Sequence, residues 1–138
     1  MQPQHKIFTL DEANDHIPEL AQLIPELRIL RDGIIQARDK YDVEEVTSFG
    51  TKGKTALDAK NTMDRHQELI AKFNKEFEDK LSFFTSVGCD LKSLEPGLVD
   101  FYSMRHDELI YLCWKEGEVT IAHWHSIEEG FGGRTPIE

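Results

Sequence analysis

Two histidines, His123 and His125, flank Trp124 in the stretch "CWKEGEVTIAHWHSIEEGFGGR", residues 113–134. A neutral imidazole is both a metal ligand and an acid–base group near neutral pH. In an extended strand alternate residues share a face, so these two rings project to one side with Cα atoms about 7 Å apart. Two imidazoles so placed could share zinc or iron if a third ligand arrives from elsewhere. Glu128 and Glu129 follow just beyond, and His66 fills a slot between Met63 and Ile70 on an apolar helical seam. The candidate ligands for a divalent metal are therefore His123, His125 and His66, with Glu128 or Glu129 as alternatives for the third. The competing reading is structural, a neutral histidine in the core with its ring nitrogens hydrogen-bonded.

The glycines of "EEGFGGR" permit close backbone approach. With Arg134, whose guanidinium fork suits carboxylate or phosphate, they form a candidate anion site. The alternative is a tail that docks Ile127 and Phe131 while Arg134 pairs with one of the chain's carboxylates. Candidate ligand-binding residues are thus His125, Arg134, Trp124 and Glu128. Cys113 has no base beside it in sequence and reads as a buried structural thiol. No Gly-rich phosphate loop, nucleophile elbow or paired-cysteine site occurs, so no catalytic residue is assigned.

The elements that must position these residues follow from periodicity. Thr9 and Glu12 in "FTLDEANDHIPEL" form a capping box for a short first helix. Pro18 cannot donate within a helix, so the reading is a break at Ile17 and a restart at Pro18, with a bend near Pro25. Leu23, Leu27, Leu30, Ile34, Ala37 and Tyr41 then keep a heptad-like spacing. The polar, glycine-bearing "EEVTSFGTKGKTA" (residues 44–56) reads as a connection. A second long helix runs from near Thr55 to Val87 and stops at Gly88. Two long helices joined by one loop imply an antiparallel hairpin.

Beyond residue 97 the period changes to two. Strands are expected at 98–103, 109–114 and 119–124, joined through "MRHDE" and "KEGE". A turn centred on Glu116–Gly117 pairs Leu112 with Ile121 and Ile110 with His123. One centred on Arg105–His106 pairs Phe101 with Ile110. The core-facing side then collects Val99, Phe101, Ile110, Leu112, Trp114, Val119, Ile121, His123 and His125. Asp100, Tyr102, Tyr111, Cys113 and Trp124 fall on the other side, an aromatic patch suited to a subunit contact, and Asp100 is not counted as a ligand. His5, His16 and His106 lie in terminal or loop contexts and read as solvated.

The expected fold class is α+β: a long antiparallel helical hairpin (about 9–87) followed by a three-stranded antiparallel β-meander packed on it, then a tail (about 97–138), in one domain over 1–138. Hydrophobic residues make up only 39% of the chain, lean for a self-sufficient core, and with the heptad seams this favours a homodimer. The net charge of −10 opposes binding to nucleic acid or to anionic membranes. No apolar run is long enough to span a bilayer, and no secretory signal is evident in "MQPQHKIFTLDE". Two cysteines without metal or redox spacing read as free thiols of a cytoplasmic protein.

The segments "FTLDEANDHIPEL", "DLKSLEPGLVDF" and "YLCWKEGEVTIAHWHSIEEGFGGRTPI" resemble the DUF2203 family of small bacterial proteins. The likeness spans nearly the whole chain and is weakest in the middle loop. By that resemblance Gly97, Asp100, Cys113, Trp114, Gly117, Glu118, Trp124, His125, Gly130, Phe131 and Arg134 fall on the family's pattern. An aromatic–His pair, here Trp124–His125, fits it better than a full His-Trp-His, which favours His125 over His123. The family implies no activity and no catalytic residue. Two functions follow as expectations: a cytoplasmic binding or interaction protein, or a metal-binding protein or metal-dependent enzyme built on the His123/His125 strand.

Overall fold

The computed structural model describes residues 6–137. Its elements are α1 (Leu10–Asn14), α2 (Ile17–Thr47), α3 (Gly53–Val87), β1 (Asp90–Leu94), β2 (Gly97–Arg105), β3 (Glu108–Lys115), β4 (His123–Ser126), a 3-10 turn (Phe131–Gly133) and β5 (Thr135–Pro136). The chain divides into two compact units. One is the chain up to Glu26 together with everything from Leu81 onward, and the other is Leu27–Lys80.

The second unit is the helical hairpin. The helices are longer than the sequence implied, because residues 44–47 and 53–56 are helical and only 48–52 connect them. Val43 and Glu44 carbonyls accept from the Thr47 hydroxyl at 2.8 and 3.4 Å, so a residue expected in the loop supports the last helical turn. Leu27, Leu30 and Ala37 are buried on α2, as their seam requires. Gly33 lies on the same helix where α3 comes close, since a Cβ there would sit 3.0 Å from the Phe73 ring.

The first unit holds the sheet. The capping box forms as expected: Glu12 N–H donates to Thr9 Oγ1 at 3.1 Å and Thr9 N–H to Glu12 Oε1 at 2.9 Å. Helix α2 starts at Ile17, one residue before Pro18, and continues through Pro25. The sheet has five antiparallel strands in sequence order, where three were expected. The additional β1 precedes the meander, and β5 is the tail returning to pair with β4.

Two registers differ from the sequence expectation, with different consequences. The β2–β3 turn is centred on His106–Asp107, both at positive φ (51° and 64°), rather than on Arg105–His106. Phe101 therefore opposes Leu112 and Val99 opposes Trp114. This shift is by two residues, so the faces are as expected. Val99, Phe101, Ile110, Leu112 and Trp114 are all buried on one face. In the same unit Phe8 meets Phe101 edge to face at 5.1 Å, and Ala13, Ile17, Leu20 and Ile24 are buried too. His16 joins this core instead of standing in solvent, with its ring 6.0 Å from Phe8 and 6.5 Å from Phe101.

The β3–β4 register reverses the expected faces. A turn does form at Lys115–Glu118, with Gly117 at φ 103°, but the chain then leaves the sheet. The Glu118 carboxylate accepts from Lys115 N–H at 2.8 Å, and its carbonyl accepts from the Trp114 indole at 2.9 Å. Ile121 N–H donates to the Asn14 side chain at 2.7 Å rather than to β3. Pairing resumes only at His123, so Cys113 opposes His123, Leu112 opposes Trp124 and Tyr111 opposes His125. Trp124 lies on the core side, whereas His123 and His125 share the other side with Asp100, Cys113 and Tyr111. Of the remaining sequence candidates, His5 lies outside the described residues.

Gly97 on β2 lies close to Ile24 of α2 and to Glu116. An added Cβ would lie 2.9 Å from Ile24 Cγ2 and 3.1 Å from Glu116 Cβ. Ile24 is fully buried and has nowhere to go. Gly97→Ala is therefore expected to destabilise the fold by about 1–3 kcal/mol, typical of overpacking. Urea denaturation checks this: the midpoint should fall with an unchanged slope. A midpoint at or above wild type would contradict the close contact.

Candidate metal centre

Adjacent strands bring one side chain each to a common point. Asp100 on β2 lies directly across from Cys113 on β3, which lies across from His123 on β4. His125 is two residues along β4, on the same face, opposite Tyr111. A carboxylate oxygen of Asp100, Sγ of Cys113 and a ring nitrogen of His125 all fall within 4.8 Å of one another, and all three residues are buried. Because each donor sits on a hydrogen-bonded strand, their spacing is set by the sheet and not by a loop.

The hydrogen bonding defines the His125 tautomer. Nδ1 lies 2.8 Å from the Ser126 carbonyl, which can only accept, so Nδ1 carries a proton. Nε2 points at Asp100 Oδ2, 3.1 Å away, with one proton between them. An imidazole whose far N–H is held by a carbonyl while the other nitrogen faces a carboxylate and a thiol is oriented as metal-bound histidines are. The second Asp100 oxygen, Oδ1, is buried and makes no hydrogen bond among the described residues. An unpaired carboxylate oxygen buried in this way is costly, and such atoms call for an explanation.

Electrostatics reinforce the geometry. Burial pushes the Asp100 carboxyl above the ordinary carboxylate range, opposed by the neighbouring His125. Burial also pushes the Cys113 thiol up to about 12, assisted by the charge of Asp100. Without a cation, then, the pocket holds its anionic ligands back toward their protonated forms. A divalent ion would reverse this and displace those protons.

A cavity of about 300 Å³ adjoins the three donors. Its walls include Lys92, Leu98, Tyr111, Ile127 and Phe131, with Glu128 and Glu129 from the tail. Glu129 is tied into a turn, its Oε1 accepting from the Ser126 hydroxyl at 3.1 Å. Glu128 is exposed at the cavity wall. Phe131 lies under the Arg134 guanidinium, 4.6 Å from its ring centre. Arg134 Nη2 in turn donates to both Glu118 carboxylate oxygens at 2.8 Å and to the Cys113 carbonyl at 3.3 Å. Arg134 thus pairs with a carboxylate and fastens the tail beside the site.

Within the sheet unit, His123 and Trp124 are not part of this cluster. His123 is half-buried with Nδ1 3.7 Å from Glu118 Oε2, outside hydrogen-bond range. His66 belongs to the hairpin unit, beside Asp39, Lys40, Glu44 and Thr62. Trp124 lies on the opposite sheet face. Asp100 and Cys113 were not counted among the candidate ligands, although alternation along β2 and β3 already put them on one face. The missing signal was the parity of β4, which decides whether His125 joins them.

The family model described as "Uncharacterized conserved protein (DUF2203)" matches residues 6–137. No curated protein and no solved structure matches the chain.

The raised Asp100 pKa has a stability consequence of definite sign. A group whose folded pKa exceeds its unfolded value supports the fold below the unfolded pKa and loses that contribution as pH rises through the folded one. Asp100→Asn removes the titration while its amide can still donate to His125 Nε2. In chelator, the variant is expected to be more stable than wild type at about pH 8, with the gap closing toward about pH 4. Denaturation series at several pH values check this, and a gap that widens toward acid would refute it.

Proposed function

We propose that this chain, which belongs to the DUF2203 family, is a metal-binding protein whose ligands are Asp100, Cys113 and His125. The observation that carries the reading is the buried Asp100 Oδ1 without a partner, beside three donors already gathered within 4.8 Å. Mixed thiolate, imidazole and carboxylate donors suit a borderline divalent ion such as zinc or ferrous iron, and suit calcium or magnesium poorly. Tetrahedral zinc places its donors about 3.3–3.8 Å apart, so the three need to draw in by about 1.5 Å at most. Three protein ligands leave a coordination position, and the adjoining cavity gives it somewhere to open. Glu128 is the tail residue best placed to reach it, since Glu129 is held in its turn. No reaction is assigned, and the proposal is one of binding.

Self-association and a cytoplasmic setting complete the proposal. On α2, Ile29, Ile35, Val43 and Val46 are 50–74% exposed, and Phe49 beyond it is 90% exposed. At about 100° per residue this stripe lies on the side opposite Leu27, Leu30 and Ala37. A helix with two apolar sides is consistent with a homodimer. The free, buried Cys89 and Cys113 suit a reducing compartment, and the acidic surface disfavours nucleic acid.

Untagged protein stripped with chelator should take up one equivalent of Zn²⁺ in calorimetry, and Co²⁺ should give a thiolate charge-transfer band. His125→Ala and Cys113→Ser are expected to lower affinity by more than about a hundredfold, beyond the loss of a merely supporting hydrogen bond. His123→Ala and His66→Ala should change it little. Absence of stoichiometric binding, or equal affinity in all four variants, would end the proposal. For assembly, light scattering should report about twice the 15.9 kDa chain mass, and a species at 15.9 kDa alone would exclude the dimer.

A further inference from the structure

On the sheet face opposite the proposed metal ligands, a second cavity of about 520 Å³ opens between the N-terminal segment and the ends of β2, β3 and β4. Its walls are apolar: Ile7, Phe8, Met104, Ile110, Leu112 and Trp124 are among them. This size lies within the range of small-molecule sites. Two donors at this cavity lack acceptors. The Trp124 indole N–H is buried and unpaired among the described residues. Arg105 lines the cavity with its guanidinium 4.7 Å from the centre of the Trp124 ring.

The charge of Arg105 is the informative feature. The chain carries 26 acidic residues against 16 Lys and Arg, and Lys6, Arg31, Lys60, Lys75, Lys92 and Arg134 each lie within 3.8 Å of a carboxylate oxygen. Arg134, for comparison, has both oxygens of Glu118. Arg105 makes no ion pair among the described residues and rests on an aromatic face instead. Stacking on indole leaves the in-plane N–H donors of a guanidinium free, and those donors match a carboxylate in two-point fashion. The neighbouring polar groups are otherwise engaged. The Ser103 hydroxyl donates to the Phe8 carbonyl at 2.6 Å, and Thr9 caps α1.

We infer that this cavity is a binding site for a small carboxylate with an apolar, aryl or medium-chain body. The body lies against Phe8, Leu112 and Trp124, and the carboxylate pairs with Arg105. The site is independent of the proposed metal ligands, because Trp124 and His125, though consecutive, face opposite sides of the sheet.

The probes are 4-phenylbutyrate and its uncharged counterpart 4-phenylbutan-1-ol, titrated into wild type and Arg105→Met by calorimetry and tryptophan fluorescence. Trp114 is fully buried with its N–H bonded, so the optical change should come from Trp124. Wild type is expected to bind one acid per chain, at least about tenfold tighter than the alcohol, the margin of one charge-assisted pair. Arg105→Met should bring the acid down to the affinity of the alcohol and leave the alcohol within about twofold. Arg105 is only half-buried and makes no ion pair among the described residues, so circular dichroism of the variant should match wild type. Absence of saturable binding, equal binding of acid and alcohol to wild type, or an acid affinity untouched by Arg105→Met would each overturn the inference.

Discussion

The carboxyl group of Asp100 is buried between strands, and much of the sheet is arranged around that fact. Taking a carboxylate out of water is expensive unless charge or hydrogen bonds compensate. Here one oxygen meets His125 Nε2, and the other accepts no hydrogen bond within the described residues although the Cys113 thiol lies nearby. That partial satisfaction dictates the neighbours: a histidine fixed by the Ser126 carbonyl, a thiol held protonated, and a tail that roofs the group. Apolar replacements at these positions would make a simpler sheet. The retained polar cluster is the local inconsistency that most often marks a functional site.

The helical part of this architecture was legible from short-range patterns. Thr9 and Glu12 announced α1, Leu27, Leu30 and Ala37 announced the buried side of α2, and Gly88 announced the end of α3. These signals act within a few residues, where local chemistry decides the outcome. Face assignments on β2 and β3 also held, because period-two alternation survives a shift of two. What failed was register beyond a loop. His106 and Asp107 adopt positive φ without a glycine between them, so nothing in composition distinguished that turn from its neighbour. After Lys115 the expected turn formed, but Glu118 is engaged by Lys115 and Arg134, sixteen residues later in the chain. Ile121 is engaged by Asn14, far earlier. Contacts at such separations decided where β4 begins, and a single strand's alternation does not contain them.

The candidate site was half legible for the same reason. His125, Glu128 and Arg134 were identified from their types and their place beyond a strand. Asp100 was set aside because β4 had been given the wrong parity, and Cys113 because no base stands beside it in sequence. Two consecutive residues now serve different surfaces of one sheet: Trp124 lines an apolar cavity beneath Arg105, and His125 faces Asp100 and Cys113. The alternation that forbids them from acting together is what lets a thin sheet carry two chemically distinct surfaces back to back.

The three proposed ligands come from three neighbouring strands, held in register by two separate pairings, β2–β3 and β3–β4. In the native arrangement they converge; in any slipped arrangement by one residue at least one is carried through to the opposite face. An ion bound by all three would therefore favour the native pairing alone, since ligand binding stabilises only the state that contains the site. The register that a seven-residue excursion between β3 and β4 leaves weakly specified by local sequence would then be selected by coordination chemistry. On this view the cluster is as much a check on strand alignment as a place where something binds.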